Sequence, residues 1–228
     1  MYGRDEQSFD DYCSYPGWSI KGEMDMIEII LVRHGKTRGN EEKRFSGKRT
    51  DEPVCQEGLE MLEERTYEEV EAVYTSPMIR CRQTACMAYG EEQPVVIEEL
   101  AECDFGILEG KNHGELSGNA EYELFLKENG KNGFPGGESI SEFAERSVKG
   151  LSRVIADCVK QGYKKAACTV HGGTILALMN VLMKEQDNYY KWSVGNGDGF
   201  RLRIDEKKWQ EGRYDEAVMD CPDHRIYS

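Results

Sequence analysis

Short runs of apolar residues alternate along the chain with longer segments that mix apolar and polar residues. The first run, Ile27–Val32, is nearly continuous, as expected for a strand buried on both faces of a sheet. Similar runs predict strands at 70–74, 94–97 and 165–170. Because helical segments separate these strands, we expect crossover connections and a mostly parallel sheet.

Apolar residues spaced three and four positions apart predict the helices. The longest covers 140–159, where Phe143, Val148 and Leu151 share a face. Near the end of the chain, 200–204 and 217–219 flank a charged turn and predict an antiparallel hairpin. We therefore expect an α/β fold: a single-domain three-layer α/β/α sandwich with a mostly parallel sheet and an antiparallel edge. The other predicted helices are 57–65, 79–89, 121–127 and 174–183.

The first 23 residues carry little apolar periodicity. We interpret 1–23 as an N-terminal extension outside the core, and 24–228 as the α/β domain. The beginning of the chain lacks the apolar centre of a signal peptide. No stretch approaches the roughly 18 apolar residues that span a bilayer. We expect a cytoplasmic protein with no membrane partner.

Charge narrows the choice of partners. The 228-residue chain has a net charge of −14, which argues against nucleic acid as a partner. One window differs: Arg33 to Arg49 contains seven lysines and arginines but two glutamates. It is either a solvated basic loop or a local anion site.

The eight cysteines are scattered without a Cys-x-x-Cys pair, so we expect free thiols that fill the core rather than disulfides or zinc ligands.

Three predicted strands end in polar residues. Arg33 and His34 follow the first strand, Ser76 leads from another into Arg80, and His171 follows a third. Because the carboxyl ends of parallel strands meet at one edge, these side chains should lie together. A neutral imidazole can accept a phosphoryl group, and arginine matches phosphate oxygens. Each residue alone is typical of an ordinary surface position, whereas together they favour phosphoryl transfer.

Five motifs, in order along the chain, resemble those of the histidine phosphatase superfamily, also called the phosphoglycerate mutase-like family. Leu108 stands where the family usually has tryptophan, so the match is not complete. The motifs are Arg33-His34-Gly35 with Asn40, the stretch 76–85 (SPMIRCRQTA), the stretch 102–110 (ECDFGILEG), the loop 135–139 (PGGES) and the stretch 170–174 (VHGGT).

The resemblance implies a phosphomonoesterase that acts on small phosphorylated metabolites through a covalent phosphohistidine, without a metal or organic cofactor. It implies that His34 is the nucleophile and that Glu102 protonates the leaving group and then helps to activate water. The other residues implied to act in catalysis or to bind the phosphoryl group are Arg33, Asn40, Arg80, His171 and Gly172.

Two alternatives remain open. The compact segment between Glu102 and His171 resembles the small phosphatases, including the α-ribazole phosphatase type, because mutases of the family typically carry a longer insertion there. Phosphoglycerate mutase-type phosphoryl transfer is the first alternative. A non-catalytic relative that binds a phosphorylated ligand is the second, although such a protein would not need both a nucleophile and an acid.

Substrate choice is not determined by these motifs. Lys36 and Gly39 depart from the residues usual in the family, and both are expected to flank the mouth of the pocket. Lys36 and Arg38 either favour a substrate with a second anionic group or are simply exposed. The variable segment 111–134 is expected to set specificity, with His113 exposed. The natural substrate, the use of α-ribazole phosphate and the oligomeric state stay open.

Overall fold

The structure, a computed structural model, describes residues 26–128, 133–184, 188–218 and 226–227. The predicted extension 1–23 lies outside these ranges, as do Met219, Cys13 and Cys221. The boundary between an extension and a domain at residue 24 therefore stays a prediction.

Five strands form one sheet in the order β3-β2-β4-β1-β5. Strand β1 (Met26–Arg33) pairs in parallel with β4 (Lys165–Val170), and β4 pairs in parallel with β2 (Ala72–Thr75). The short β3 (Val95–Val96) continues the parallel part, and β5 (Gly199–Asp205) runs antiparallel to β1. The predicted strands and the antiparallel edge are confirmed.

The helices match the predicted segments closely, and the predicted helix at 79–89 is reproduced without change. Short 3₁₀ turns occupy Glu98–Leu100, Gly106–Leu108 and Tyr189–Trp192. The α-helices of the described ranges are α1 (Arg38–Glu41), α2 (Gln56–Glu63), α3 (Ile79–Tyr89), α4 (His113–Leu116), α5 (Ala120–Lys127), α6 (Ile140–Gln161), α7 (Gly172–Leu182), α8 (Glu206–Gln210) and α9 (Tyr214–Ala217).

Alternation along β1 divides the core between the two faces of the sheet. Leu31 belongs to the larger apolar cluster, together with Leu151 of α6 and Leu178 of α7. Ile30, its neighbour, belongs to a second cluster with Leu62 of α2. Helices therefore cover both faces, and the predicted three-layer α/β/α sandwich is confirmed.

The predicted C-terminal hairpin is confirmed only in part, and Met219 of its second segment lies outside the described residues. After β5 the side chain of Asp205 accepts a hydrogen bond from the backbone N–H of Lys208 at 3.1 Å and caps α8, so the chain turns into a helix instead of a second strand. Trp209 of α8 is buried in the larger cluster. The only trace of pairing among residues 199–218 is an isolated antiparallel bridge between Ile204 and Val218.

Six cysteines lie in the described ranges and all six are free thiols. Cys55 and Cys86 are the two that are accessible to solvent. The predicted role as core filler is confirmed for Cys81, Cys103, Cys158 and Cys168, which are buried. Among the helices that the structure describes, none combines the length and the apolar character needed to cross a bilayer.

Candidate active site

The ends of β1, β4 and β2 meet at one edge of the sheet. Arg33 is paired with Val170 in the parallel ladder, and the N–H of His34 donates to the Val170 carbonyl at 2.9 Å. His171 follows Val170 directly, so the His34 and His171 rings lie edge to face with centroids 5.3 Å apart. The N–H of Ser76, after β2, donates to Thr169 of β4 at 3.0 Å. The predicted convergence of strand ends is thus observed.

His34 is buried and held in one orientation. Its Nδ1 lies 2.8 Å from the carbonyl oxygen of Gly35. A carbonyl oxygen only accepts, so Nδ1 carries the ring proton and Nε2 keeps its lone pair. Burial lowers the pKa of His34 well below its usual value, and the nearby Arg80 guanidinium lowers it further. The ring is therefore neutral at neutral pH.

Arg80 is fully buried and organises His171. Its Nε donates to Nδ1 of His171 at 3.2 Å, and because arginine only donates, the ring proton of His171 sits on Nε2. Nε2 in turn donates to the Ser76 hydroxyl at 2.7 Å. Burial lowers the pKa of His171 well below its usual value, with a further contribution from Arg80.

The rest of the Arg80 guanidinium binds the loop that follows α1. It donates to the carbonyl of Thr50 at 2.7 Å and to those of Ser46 and Gly47 at 3.2 and 3.3 Å. The loop is held by the Glu109 carboxylate, which accepts from the Gly47 N–H at 3.1 Å and from the Thr50 hydroxyl at 2.7 Å. Glu109 is thus a structural residue that shapes the surroundings of Arg80.

Arg33 and Asn40 line a common cavity with Asn196. The partly buried Arg33 donates to the Val194 carbonyl at 2.6 Å, and its buried Nε has no partner within the described residues. Burial lowers the pKa of Arg33. The side-chain amide of Asn196 donates to Oδ1 of Asn40 and to the His34 carbonyl, both at 3.0 Å. Asn196 thereby ties Asn40 to the chain at His34.

Glu102 is buried against the start of α7. Its carboxylate accepts from the N–H of Cys103 at 3.0 Å and from that of Gly173 at 3.1 Å. Burial raises the pKa of Glu102 above its usual value, although these two amides act in the opposite direction. A Cβ atom at Gly173 would lie 2.4 Å from Oε1 of Glu102, and one at Gly172 would lie 3.3 Å from Nε of Arg33. The close contact between Glu102 and position 173 therefore requires glycine at that position.

All seven predicted site residues are brought together at this edge. The guanidinium groups of Arg33 and Arg80 make their hydrogen bonds to carbonyl oxygens and a neutral imidazole. Within the described residues neither guanidinium makes an ion pair, and the nearby Glu102 carboxyl has a pKa that burial raises. Burying charge without a paired counter-charge is costly, so the site is suited to binding an anion.

Several contributors were missed by the sequence interpretation. The Thr84 hydroxyl accepts from the N–H of Gly35 at 2.9 Å and fixes the turn after His34. Ser76 and Gly173 belong to the quoted motifs, which was a usable signal for both. Asn196 follows no motif, and nothing in its local pattern pointed to a place beside His34.

The basic window is largely neutralised at the protein surface. Lys36 pairs with Glu57 at 2.6 Å and Arg38 with Glu42 at 2.6 Å. These exposed ion pairs favour the interpretation of this part of the window as a solvated basic loop. Among the seven cations, Arg33 is the one that lies beside His34.

Gly39 occupies a crowded position next to the site. A Cβ atom there would lie 2.2 Å from the Ser46 hydroxyl and 2.3 Å from Oε1 of Glu52. The Glu52 carboxylate accepts from the Gly39 N–H at 3.0 Å and from the hydroxyls of Thr37 and Ser46 at 2.8 and 2.7 Å. In this chain the Glu52 carboxylate fills the space that a side chain at position 39 would need.

Comparisons with known proteins agree with this geometry. Residues 29–216 match the histidine phosphatase superfamily, branch 1. A metal-independent phosphoserine phosphatase of Arabidopsis thaliana is 32% identical over 174 residues, covering 71% of this chain and 71% of that protein.

Solved structures show the same architecture. The α-ribazole phosphatase of Shigella flexneri superposes with a TM-score of 0.68 at 24% identity, over 79% of this chain and 92% of that chain, and at this identity shows the fold alone. A phosphoglycerate mutase of Thermus thermophilus superposes with a TM-score of 0.59 at 30% identity, over 77% and 92% of the respective chains. The predicted fold, family and class of enzyme, a phosphatase, are confirmed, and the chain belongs to the histidine phosphatase superfamily.

Proposed function

We propose that this protein hydrolyses small phosphate monoesters through a phosphohistidine formed on Nε2 of His34. One observation carries the proposal: a buried, neutral imidazole with an unprotonated Nε2 lies near two guanidinium groups that make no ion pair with a carboxylate in the described part of the chain. Such a group is a nucleophile poised in a site that favours a phosphate dianion.

In the first step, Nε2 of His34 attacks the phosphorus and the bond to the ester oxygen breaks. The electron pair goes to the leaving oxygen, which takes the proton of Glu102, so that a neutral alcohol departs. The raised pKa of Glu102 keeps that proton available at mildly acidic pH. We assign binding of the non-bridging oxygens to Arg33, Asn40, Arg80 and His171, and to the backbone at Gly172.

In the second step, the Glu102 carboxylate removes a proton from a water molecule as the water oxygen attacks phosphorus. The bond between phosphorus and Nε2 breaks, its electron pair returns to the imidazole, and inorganic phosphate is released. Glu102 is protonated again at the end of the cycle. The chain itself supplies every group in this sequence.

Release of phosphate from p-nitrophenyl phosphate and from a panel of phosphorylated metabolites at mildly acidic pH tests the proposal. Both α-ribazole phosphate and phosphoserine belong in the panel, because relatives are named for them. His34→Ala should abolish turnover and the acid-labile phosphoprotein formed on rapid quenching. Arg80→Met should reduce turnover strongly, whereas Arg82→Met, on the exposed face of α3, should not.

Two outcomes would contradict the proposal. Formation of 2-phosphoglycerate from 3-phosphoglycerate faster than phosphate release would favour the mutase alternative. Binding of phosphorylated ligands without any turnover would favour the non-catalytic alternative. The cytoplasmic location and the absence of nucleic-acid and membrane partners stay predictions from the sequence.

A further inference from the structure

A cavity of about 330 Å³ adjoins the proposed phosphate site. Arg33, Asn40 and Asn196 line one side of it, and all three are tied to the His34 region. Lys43 and His113 contribute to the remaining wall. Because the cavity shares two proposed phosphate ligands with the reaction centre, a group esterified to the bound phosphate can extend into it.

The charge of the cavity wall is positive. Its lining contains no carboxylate, although the protein as a whole is strongly acidic. Arg44, another lining residue, is neutralised by ion pairs with Glu42 at 2.6 Å and Glu115 at 2.5 Å. The side-chain ammonium of the exposed Lys43 has neither a hydrogen bond nor an ion pair within the part of the chain that the structure describes. An ammonium group is therefore available to a ligand at this wall.

The backbone at Lys43 supports a role for this residue. Its backbone φ angle is 54°, in the left-handed region that residues other than glycine and asparagine rarely adopt. The turn is closed by hydrogen bonds from the Lys43 N–H to the Asn40 carbonyl and from the Arg44 N–H to the Gly39 carbonyl, at 3.3 and 2.8 Å. Strained positions of this kind collect at binding sites.

Two aromatic rings complete the wall. The rings of Phe45 and His113 lie edge to face with centroids 5.3 Å apart. His113 is exposed, as the sequence predicted, and its Nδ1 is hydrogen-bonded to the hydroxyl of the buried Tyr122. The cavity thus offers apolar surface to a carbon skeleton and a cation to a charged substituent.

We propose that this cavity is the leaving-group site and that Lys43 selects leaving groups bearing a second anionic group. The proposal rests on the proposed phosphatase reaction and deepens it by naming the substrate class. Recognition of a second anionic group, considered above for Lys36 and Arg38, is thereby assigned to Lys43, because Lys36 and Arg38 are paired with glutamates.

Binding by the full chain with His34→Ala, which cannot turn over substrate, tests the inference by calorimetry. The probes are 3-phosphoglycerate and glycerol 3-phosphate, which share a three-carbon skeleton and differ by a carboxylate in place of a hydroxymethyl group. We expect 3-phosphoglycerate to bind about fivefold to tenfold more tightly, with a preference that shrinks at high salt. A bisphosphate compared with its monophosphate tests whether a second phosphate serves equally well.

Lys43→Met, added to the His34→Ala chain, should weaken the binding of 3-phosphoglycerate but not that of glycerol 3-phosphate, and so remove the preference. Lys36→Met, added in the same way, should leave the preference unchanged. Lys43→Gly relieves the positive φ and should fold at least as well, yet lose the preference too. Equal affinities for the two probes, or a preference that survives both Lys43 variants, would overturn the inference. If the wild-type chain hydrolyses no phosphate monoester of the panel but the preference depends on Lys43, the reaction proposal fails and the anion site stands.

Discussion

The rings of His34 and His171, whose centroids are 5.3 Å apart, carry their protons on opposite nitrogens. The Gly35 carbonyl holds the proton of His34 on Nδ1, while the Nε–H of Arg80 occupies Nδ1 of His171 and leaves its proton on Nε2. One imidazole therefore has an unprotonated Nε2 and the other has an Nε2–H donor. The unprotonated Nε2 of His34 is the form that attack on a phosphate requires, whereas the Nε2–H of His171 donates to the Ser76 hydroxyl at 2.7 Å.

Nitrogen NMR should detect the two tautomers directly. In protein labelled with ¹⁵N at neutral pH, we expect one buried histidine with a protonated Nδ1 and one with a protonated Nε2. Arg80→Met should disturb the pattern of His171 because its Nδ1 loses the donor that fixes it. Arg82→Met serves as the control. Two buried histidines of the same tautomer would contradict the assignment.

Activity should depend on pH in a way set by His34 and Glu102. The pKa of His34 is lowered, so this residue stays neutral as the pH falls below 6.5, and the pKa of Glu102 is raised, so its acid form persists above pH 4.5. The plot of kcat/KM against pH should therefore be bell-shaped. The acidic limb reports protonation of His34 and the alkaline limb loss of the Glu102 proton.

Glu102→Gln separates the proton donor from the rest of the site. For an alkyl phosphate, whose leaving oxygen must be protonated, we expect kcat to fall about 10²- to 10⁴-fold. For p-nitrophenyl phosphate the loss should be smaller, because p-nitrophenolate leaves without a proton. The part of the alkaline limb due to Glu102 should disappear. An equal loss with both substrates would show that Glu102 does not protonate the leaving group.

The strand ends were predictable because their order rests on a general rule. Continuous apolar runs mark buried strands, and parallel strands present their carboxyl ends at one edge, which places Arg33, His34 and His171 together. The helix that follows β5 was not predictable from apolar periodicity, because it depends on the cap that the Asp205 side chain provides. Boundaries of this kind are decided by local side-chain to backbone hydrogen bonds.

The contacts of Arg80 could not be predicted from the pattern of apolar and polar residues. Its guanidinium binds carbonyls of the loop after α1, and that loop is shaped by the distant Glu109. Lys36 looked available from sequence, but folding brings Glu57 to it, whereas Arg38 pairs with Glu42 only four positions away. Motifs identify which side chains act, whereas the surroundings of a residue such as Arg80 or Lys36 depend on contacts between segments that are far apart in the chain.

Gly173→Ala should move Glu102. The new Cβ would lie 2.4 Å from Oε1 in the present arrangement, so the carboxyl must shift or rotate. Helix α7 should fold normally, because alanine favours helix more than glycine does. A displacement of this size should lower kcat for an alkyl phosphate by about a hundredfold, and less for p-nitrophenyl phosphate.

The matched control for that experiment is Gly195→Ala, whose added Cβ would meet no atom within 4 Å. It should leave kcat unchanged for both substrates. If Gly173→Ala also leaves kcat unchanged, the close approach of Glu102 to α7 is not needed for activity.

Arg146 of α6 holds the segment that carries Glu102. Its guanidinium donates to the carbonyls of Glu99, Ala101 and Glu102 at 2.9, 2.8 and 3.1 Å and pairs with the Glu138 carboxylate at 2.7 Å. Arg146→Met leaves these acceptors without their donor. We expect the free energy of unfolding to fall by roughly 2–4 kcal/mol in chemical denaturation.

Arg146→Met should also change catalysis by the fraction that remains folded. A loosened Glu102 is better hydrated, which lowers its pKa toward the usual value, so the alkaline limb of kcat/KM should move to lower pH. Arg153→Met is the control: its side chain is 55% exposed and pairs with the same Glu99 at 3.0 Å, so we expect a loss of less than about 1 kcal/mol and an unchanged pH profile. If Arg146 positions Glu102, both kcat and the pH profile of the folded Arg146→Met variant should change. A variant that is less stable but keeps the wild-type kcat and pH profile would show that Arg146 contributes to stability alone.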